Sequence, residues 1–191
     1  MNLMHTLHTT EAFVLSGSPH GESNRVYRLL TRDHGLLYAH GQGVRELKNR
    51  NRFALATGRH AIVTLVRGRE VWRITGAQEQ EQAYTTAAWR RALMLTGRLL
   101  AAEDPAPRVF DILMHARGAF TTALYEQERL LEALTAFQLL HELGYIACPE
   151  EPVIERVIHT VYTTKDLANL ASHQQKLVHM VNDALTELPI R

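Results

Sequence analysis

One short segment concentrates the positive charge of this sequence in a form that could bind phosphate. From Gly41 to Arg52 it reads Gly-Gln-Gly-Val-Arg-Glu-Leu-Lys-Asn-Arg-Asn-Arg, and one acid opposes four cations: Arg45, Lys48, Arg50 and Arg52. Cationic side chains on a glycine-opened loop attract polyanions. If about four of them contacted phosphates, log affinity would fall with log salt with a slope near −3. The segment is therefore the first candidate for a binding site.

Further cations and aromatic residues flank this loop. Arg28 lies on a predicted strand before it, and three arginines lie on a predicted hairpin after it: Arg67, Arg69 and Arg73. Proteins that bind single strands combine a cationic groove with aromatic rings on which bases stack. Tyr38 and Trp72 are the candidate stacking residues, and each has the alternative of being a core residue. By residue type, this set is a candidate surface for a single-stranded nucleic acid.

The sequence contains no recognisable catalytic constellation. It has no Gly-x-Ser-x-Gly elbow, no Gly-x-x-x-x-Gly-Lys-Ser/Thr loop and no paired-glycine dinucleotide motif. Glu150 and Glu151 are adjacent in a proline-flanked loop, which favours solvated side chains. His173 and His179 are six apart on a predicted helix, so they face nearly opposite sides. We expect no enzyme activity, no metal site and no cofactor.

Composition indicates a soluble globular protein. The chain has 191 residues, of which 46% are hydrophobic, and no apolar run approaches the roughly 20 residues of a membrane span. The N-terminus has no apolar signal region. Cys148 is the single cysteine, which excludes an internal disulfide and an all-cysteine metal site within one chain. We expect a cytoplasmic protein that does not bind membranes.

The net charge of +1 conceals an uneven distribution. Residues 1–76 hold 11 Lys and Arg against 5 Asp and Glu, an excess of +6, whereas residues 77–191 hold 10 against 15, an excess of −5. Such asymmetry is typical of a part that binds polyanions beside an acidic part, although scattered surface charge gives the same totals. The basic part coincides with the region that predicts strands.

Short apolar or alternating segments separated by turn residues predict five strands in the first part of the chain. They are Thr9–Ser16, Arg25–Thr31, Leu36–His40, His60–Val66 and Val71–Thr75. Asp33-His34-Gly35 and Arg67-Gly68-Arg69 are turn signals. Five short antiparallel strands suit a small closed barrel, which leaves no exposed strand edge. We predict a barrel domain over residues 1–78.

Helical periodicity begins near Ala87, after a polar linker at residues 79–86. We predict one helix that ends at Glu103–Pro107, a second over Val109–Ala116 that Gly118 ends, and a third over Leu130–His141. Gly144 is placed as a C-cap glycine would be. A last helix is predicted from about Lys165 to Leu188, capped by Thr163 or Thr164. The fold class is therefore α+β, with a helical domain over residues 87–191.

Several of these segments, in this order, resemble the bacterial RecO family of recombination mediators. They are Gly21-Glu22-Ser23, Leu30-Thr31-Arg32-Asp33-His34-Gly35-Leu36, Gly41-Gln42-Gly43-Val44-Arg45, Leu65–Arg69 with Trp72–Thr75, Phe110-Asp111 and Leu143-Gly144-Tyr145. The resemblance covers about residues 9–147. It implies an OB-fold barrel followed by a helical domain.

The resemblance also implies a function and partners. Members of the family bind single- and double-stranded DNA, anneal complementary strands, and act with RecR on single-strand DNA-binding protein so that RecA loads. The family's basic loop matches Arg45, Lys48, Arg50 and Arg52. Neither nucleotide hydrolysis nor a cofactor is implied, and the expected location is the bacterial nucleoid in the cytoplasm.

The sequence departs from the family in ways that bear on the helical domain. Many members carry a four-cysteine zinc module, whereas Cys148 is the only cysteine here, so we expect a short form without zinc. Leu185–Arg191 do not resemble the family's basic C-terminal tail. We therefore expect the barrel to supply most of the DNA contact. An alternative of another class is an OB-fold adaptor whose cationic surface binds an acidic partner peptide.

Overall fold

The computed structural model describes residues 6–42, 51–80, 85–158 and 161–188. Its contacts divide the chain into two compact units. The barrel unit comprises residues 1–85 with 99–110, and the helical unit comprises residues 86–98 with 111–191. The chain thus leaves the first unit and returns to it. The boundaries expected from sequence, at residues 78 and 87, remain a prediction.

The barrel unit is a closed five-stranded barrel, as the sequence predicted. Its strands are β1 (Leu7–His20), β2 (Asn24–Thr31), β3 (Gly35–Gly41), β4 (His60–Arg67) and β5 (Trp72–Glu79). They are hydrogen-bonded in the order β1-β2-β3-β5-β4, and the barrel closes between β4 and β1. All neighbours are antiparallel except β3 and β5, which are parallel. A short helix, α1 (Asn51–Ala54), precedes β4.

Strand β1 is longer than predicted. The composition of Gly17–His20 predicts a turn, but these residues continue the strand. Its first half pairs with β4 from Leu7 to Phe13, and its second half pairs with β2 from Ala12 to His20. A register shift between Val14 and Ser16 marks the change of partner. Beyond Phe13, no strand among the described residues pairs with the edge of β1 that β4 occupies earlier. Pro19, which lacks an N–H group, is therefore tolerated.

Alternation along the strands places one set of side chains inside the barrel. The interior residues are apolar and almost fully buried, and α1 and the residue after it contribute one each: Ala12, Val14, Tyr27, Leu29, Leu37, Ala39, Ala54, Leu55, Ala61, Val63, Leu65, Trp72 and Ile74. Because successive strand residues point to opposite faces, the intervening residues face outward. This alternation decides which cations can reach a ligand.

The turn between β2 and β3 fits closely against the segment 99–110. Gly35 has a φ of +66°, and a Cβ atom there would lie 2.0 Å from the Asp104 carbonyl oxygen. The Glu103 N–H group donates to the Leu36 carbonyl oxygen at 2.8 Å. A residue other than glycine at position 35 would therefore meet both backbone strain and a steric clash.

The helices are α2 (Ala87–Leu99), α3 (Pro107–Thr122), α4 (Glu128–Glu142), α5 (Pro152–Ile158), α6 (Thr164–Leu170) and α7 (Gln174–Glu187). The centre of α4 is buried from Leu130 to Leu140, apart from the half-buried Glu132. Gly144 follows α4 with a φ of +79°, and its N–H group donates to the His141 carbonyl oxygen at 2.9 Å. The predicted C-cap is therefore confirmed.

Two helix predictions were wrong in detail, and one short helix was not predicted. Helix α3 does not end at Gly118 but continues to Thr122. At Gly118 nothing lies within 4 Å of an added Cβ atom, so no close contact there requires a glycine. The short helix α5 was not predicted, although Pro152 at its first position is a typical start. The single last helix is instead α6 and α7, separated by a 3-10 turn at Ala171–His173. Serine and histidine in this turn bond locally, with Ser172 Oγ 3.1 Å from His173 Nδ1.

Candidate nucleic-acid interface

Strands β2 and β3 bring a cation and an aromatic ring together outside the barrel. Arg28 and Tyr38 are direct cross-strand partners, and both alternate with buried residues. The Arg28 guanidinium carbon lies 5.6 Å from the centre of the Tyr38 ring. Tyr38 remains 51% exposed. Arg28 thus fixes a charged group beside an aromatic ring that solvent can reach.

Strand β5 extends this surface. Its exposed residue Arg73 is the register partner of His40, which lies two positions beyond Tyr38 on the same side of β3. The ring of His40 meets that of His20 edge to face, with 5.0 Å between their centres. We define the outer face as Arg28, Tyr38, His40 and Arg73. It carries two permanent positive charges around one exposed ring.

Strand β3 leads directly into the predicted basic loop. The loop cations Arg45, Lys48 and Arg50 lie outside the described residues, so their binding role remains a prediction. Arg52 is described and lies on α1, with its guanidinium carbon 4.9 Å from the centre of the Phe53 ring. Arg52 lines a cavity at one end of the barrel rather than the outer face.

Two of the three predicted hairpin cations lie at the end of β4 and in the turn that follows it. Arg67 and Arg69 are both exposed. Arg67 forms an ion pair with Glu103, and its guanidinium carbon lies 5.0 Å from the centre of the Trp72 ring. Part of the Arg67 charge is thus neutralised within the barrel unit, whereas Arg69 has no carboxylate partner among the described residues.

The two predicted stacking residues have opposite environments. Trp72 is only 5% exposed, and its ring lies against those of His8 and His34, at 5.3 Å and 5.2 Å between centres. With Arg67 also beside it, a base could stack on Trp72 only after these neighbours moved. Tyr38 needs no such movement. Its position makes it the better platform of the two, and stacking itself remains a prediction.

Sequence reasoning missed His20 and His40 on this surface. The sequence did carry a signal for His40. Residues 38 and 40 lie on one face of a strand whose other face carries the apolar Leu37 and Ala39, so His40 shares the face of Tyr38. What the sequence could not indicate is the pairing of β3 with β5. This parallel contact brings Arg73 beside His40 across 33 positions of the chain.

Residue types used in catalysis meet at one place among the described residues of the helical unit. Ser172 Oγ lies 3.1 Å from His173 Nδ1, and His173 Nε2 lies 3.7 Å from Glu151. Lys176 also forms an ion pair with Glu151, so a positive charge already neutralises this carboxylate. Ser172 is exposed, and it lines neither of the two cavities described below. The arrangement stabilises a helix junction and lacks the enclosed site that acyl transfer requires.

Cys148 also has the wrong environment for a nucleophile. Burial raises the pKa of its thiol above the usual value, and the charge of Glu155 acts in the same direction. The thiol therefore stays protonated at neutral pH. Among the described residues, no group of three or more His, Cys, Asp or Glu side chains could hold a metal ion. No described helix is long and apolar enough to cross a membrane.

The helical unit has a groove between α2, α4 and α7 with a volume of about 790 Å³. Its wall includes three exposed apolar side chains: Met94 on α2, Val178 on α7 and the ring of Tyr125. Arg91 donates two hydrogen bonds to the Glu132 carboxylate, at 2.5 Å and 2.6 Å. Two further arginines, Arg98 and Arg129, line the groove. It combines apolar surface with excess positive charge.

Comparison with known proteins identifies similarity in the barrel unit and in part of the helical unit. Residues 4–81 match the family described as "Recombination protein O N terminal". The chain is 31% identical over 133 residues to a DNA repair protein RecO from Bifidobacterium animalis subsp. lactis (strain AD011), covering 65% of this chain and 56% of that protein. It is 34% identical over 141 residues to a DNA repair protein RecO from Myxococcus xanthus (strain DK1622), covering 68% and 54%. The chain spans about half the length of these curated relatives.

Proposed function

Because the chain belongs to the RecO family, we propose that it is a non-enzymatic mediator of DNA repair and recombination. In this proposal it binds single- and double-stranded DNA and anneals complementary strands. It also acts with RecR on single-strand DNA-binding protein, so that a RecA-type recombinase can load. Its place of action would be the bacterial nucleoid.

The observation that carries the DNA-binding proposal is the outer face of the barrel. Nucleic acids bind OB-folds across strands 2 and 3 and the loops between strands 1–2 and 4–5. Here Arg28 and Tyr38 lie on β2 and β3, and the exposed Arg69 lies in the loop between β4 and β5. Arg73 follows that loop on β5 and pairs with β3. Arginines neutralise phosphates irrespective of sequence, and a tyrosine ring accepts any base. Such a surface suits a protein that must act on any damaged sequence.

Annealing follows from the same electrostatics. Two single strands repel each other through their phosphates, so a cationic surface that holds one strand lowers the cost of bringing the second strand near. The surface need not read bases, because the complementary strands recognise each other. The proposed function therefore requires positive charge and stacking but no catalytic group.

The groove of the helical unit is suited to binding a segment of a protein partner. A segment of acidic and apolar residues would pair its carboxylates with Arg98 and Arg129 and bury its apolar side chains against Met94. We propose that this groove takes the acidic tail of single-strand DNA-binding protein. The same groove favours a second candidate function, an adaptor that binds an acidic peptide with only incidental affinity for DNA.

Strand annealing tests the proposal directly. Complementary oligonucleotides coated with single-strand DNA-binding protein are mixed with the chain, and duplex formation is followed by fluorescence transfer. The chain should accelerate annealing, and Arg28→Gln/Arg73→Gln should reduce this effect. Arg90→Gln, at an exposed position on α2, is the matched control for loss of charge. If the wild-type chain gives no acceleration but binds the acidic tail peptide, the adaptor function replaces the mediator function.

A further inference from the structure

A cavity of about 650 Å³ lies at one end of the barrel, apart from the residues of the outer face. Strands β1, β2, β4 and β5 and the helix α1 contribute to its wall or border it. Its floor is the barrel core, because Tyr27 and Leu55 belong to both. The volume falls within the range of small-ligand sites, about 300–1,000 Å³. A cavity with a closed floor can receive the end of a strand or a small molecule, but not a strand that passes through.

The charge of this cavity is strongly positive. Arg25, Arg52 and Arg59 line it, and Glu79 is the only acid among the lining residues that the structure describes. Arg59 donates to the Glu79 carboxylate at 2.5 Å, so these two charges compensate each other. No carboxylate among the described residues lies within ion-pair distance of Arg25 or Arg52. The described lining residues therefore leave about two positive charges for a ligand.

The Arg25 guanidinium is held in position without being saturated. Its Nη2 atom donates to the Gly17 carbonyl oxygen at 2.6 Å, and its Nε atom is buried with no hydrogen-bond partner among the described residues. A buried donor without an acceptor is unusual and commonly marks a place where a water or ion binds. Arg25 is thus oriented by the protein and has hydrogen-bonding capacity left for an anion.

Aromatic surface completes the site. Phe53 on α1 is 63% exposed and lines the cavity, and Arg52 lies against its ring at 4.9 Å. A phosphate monoester carries roughly −1.5 to −2 charges at neutral pH, against a single charge on each phosphodiester of a DNA chain. Two arginines match the monoester better than the diester. Positive charge beside an exposed aromatic ring fits a phosphate joined to a flat base.

We propose that this cavity binds one nucleotide through a phosphate monoester, with Arg25 and Arg52 on the phosphate and Phe53 beside the base. The ligand is either the phosphorylated end of a DNA strand or a free nucleoside monophosphate. The strand-end form rests on the proposed DNA binding, whereas the free-nucleotide form is independent of it. A strand end held here would locate the protein at a break or gap.

The test compares ligands that differ only in the monoester, using the full chain. The probes are one oligonucleotide with a 5′-phosphate or a 5′-hydroxyl, and deoxyadenosine with or without its monophosphate. A charge-assisted contact predicts about 10- to 100-fold tighter binding of the phosphorylated member of at least one pair. A gain in the oligonucleotide pair identifies strand ends, and a gain in the nucleoside pair alone identifies free nucleotides. Equal affinities within both pairs would overturn the proposal.

Variants locate the effect. Arg52→Gln and Phe53→Ala change half-buried and exposed side chains of α1. Arg52→Gln should remove most of the gain, Phe53→Ala should weaken both members of a pair because both carry the base, and Arg90→Gln should change neither. Arg25→Gln is included if circular dichroism shows that it folds. A gain that survives Arg52→Gln and Phe53→Ala together would place the site elsewhere and refute the assignment. Binding to circular single-stranded DNA, which has no ends, separates this result from the proposed function, because it should depend on outer-face residues such as Arg28 and Arg73 and should not require Phe53.

Discussion

Replacing Tyr38 by Ala separates stacking from phosphate contact on the outer face. Base stacking on an aromatic side chain contributes about 1–3 kcal/mol per base, so affinity for single-stranded DNA should fall about 5- to 150-fold. Tyr38 is half exposed and its ring stands beside the Arg28 guanidinium, so one base could cover it. We expect a value near the lower end, because Arg28 already occupies part of the ring.

The salt dependence makes this prediction specific. Tyr38→Ala removes no charge, so the slope of log affinity against log salt should not change. Arg73→Gln should instead reduce that slope by about 0.7, the contribution of one phosphate contact on a single strand. Fluorescence anisotropy with a labelled oligothymidine at several salt concentrations measures both quantities. Tyr38→Phe should restore the affinity, since the ring is retained.

A matched control uses the other half of the chain. Tyr145 is also about half exposed but lies in the helical unit, so Tyr145→Ala should leave DNA affinity within about twofold of wild type. Thermal unfolding of each variant shows whether the fold is kept. If Tyr38→Ala binds single strands as tightly as Tyr145→Ala does, the outer face is not a stacking surface and the reasoning from β-strand alternation fails.

Three further predictions concern stability. Gly35→Ala should lower the free energy of unfolding by more than about 1 kcal/mol, because the left-handed φ and the clash with Asp104 act together; urea denaturation measures it. Burial lowers the pKa of His115, whose Nε2 accepts a hydrogen bond from the Tyr162 N–H group at 3.1 Å. The unfolded ring takes up a proton near pH 6.5 while the folded ring stays neutral, so stability should fall as the pH drops below about 6.5. Thr163→Ala should cost about 1 kcal/mol, since it removes the hydroxyl that caps α6.

Each of these has its own control. Gly118→Ala, at a helical glycine with open space around the added Cβ atom, should not destabilise the chain. His115→Phe should flatten the fall in stability below about pH 6.5, and an unchanged profile would assign that dependence to another group. Thr163→Ser keeps a hydroxyl and should retain most of the capping energy. Equal stability of the Ala and Ser variants would show that the cap contributes little.

The barrel could be predicted from sequence because its strands carry the simplest signals. Alternation in Arg25–Thr31 and glycine turns at residues 35 and 68 define the strands, and five short strands need closure. Pairing was not predictable to the same degree. The split of β1 between two partners depends on a bulge after Val14, and the parallel β3–β5 contact joins segments that no local pattern relates.

The candidate site was predictable in its charges but not in their grouping. The arginines were visible as residues, yet only the barrel separates Arg28 and Arg73 on the outer face from Arg25 and Arg52 in the cavity. Trp72 and Tyr38 were equivalent candidates by type. Their difference in exposure depends on side-chain direction. The Trp72 indole packs against the rings of His8 and His34, which the sequence does not indicate.

The return of residues 99–110 to the barrel unit has a practical consequence for dividing the protein. A fragment cut at the end of the matched N-terminal family, near residue 81, would lose Phe110, whose ring packs 5.0 Å from that of Phe13. It would also lose the Ala102 backbone that bridges to Leu36. Both partners are completely or almost completely buried in the intact chain. Such a fragment would expose the apolar side chains of Phe13 and Leu36 and should aggregate. A barrel prepared alone should therefore include the chain through Phe110, or have residues 99–110 joined to it by a linker.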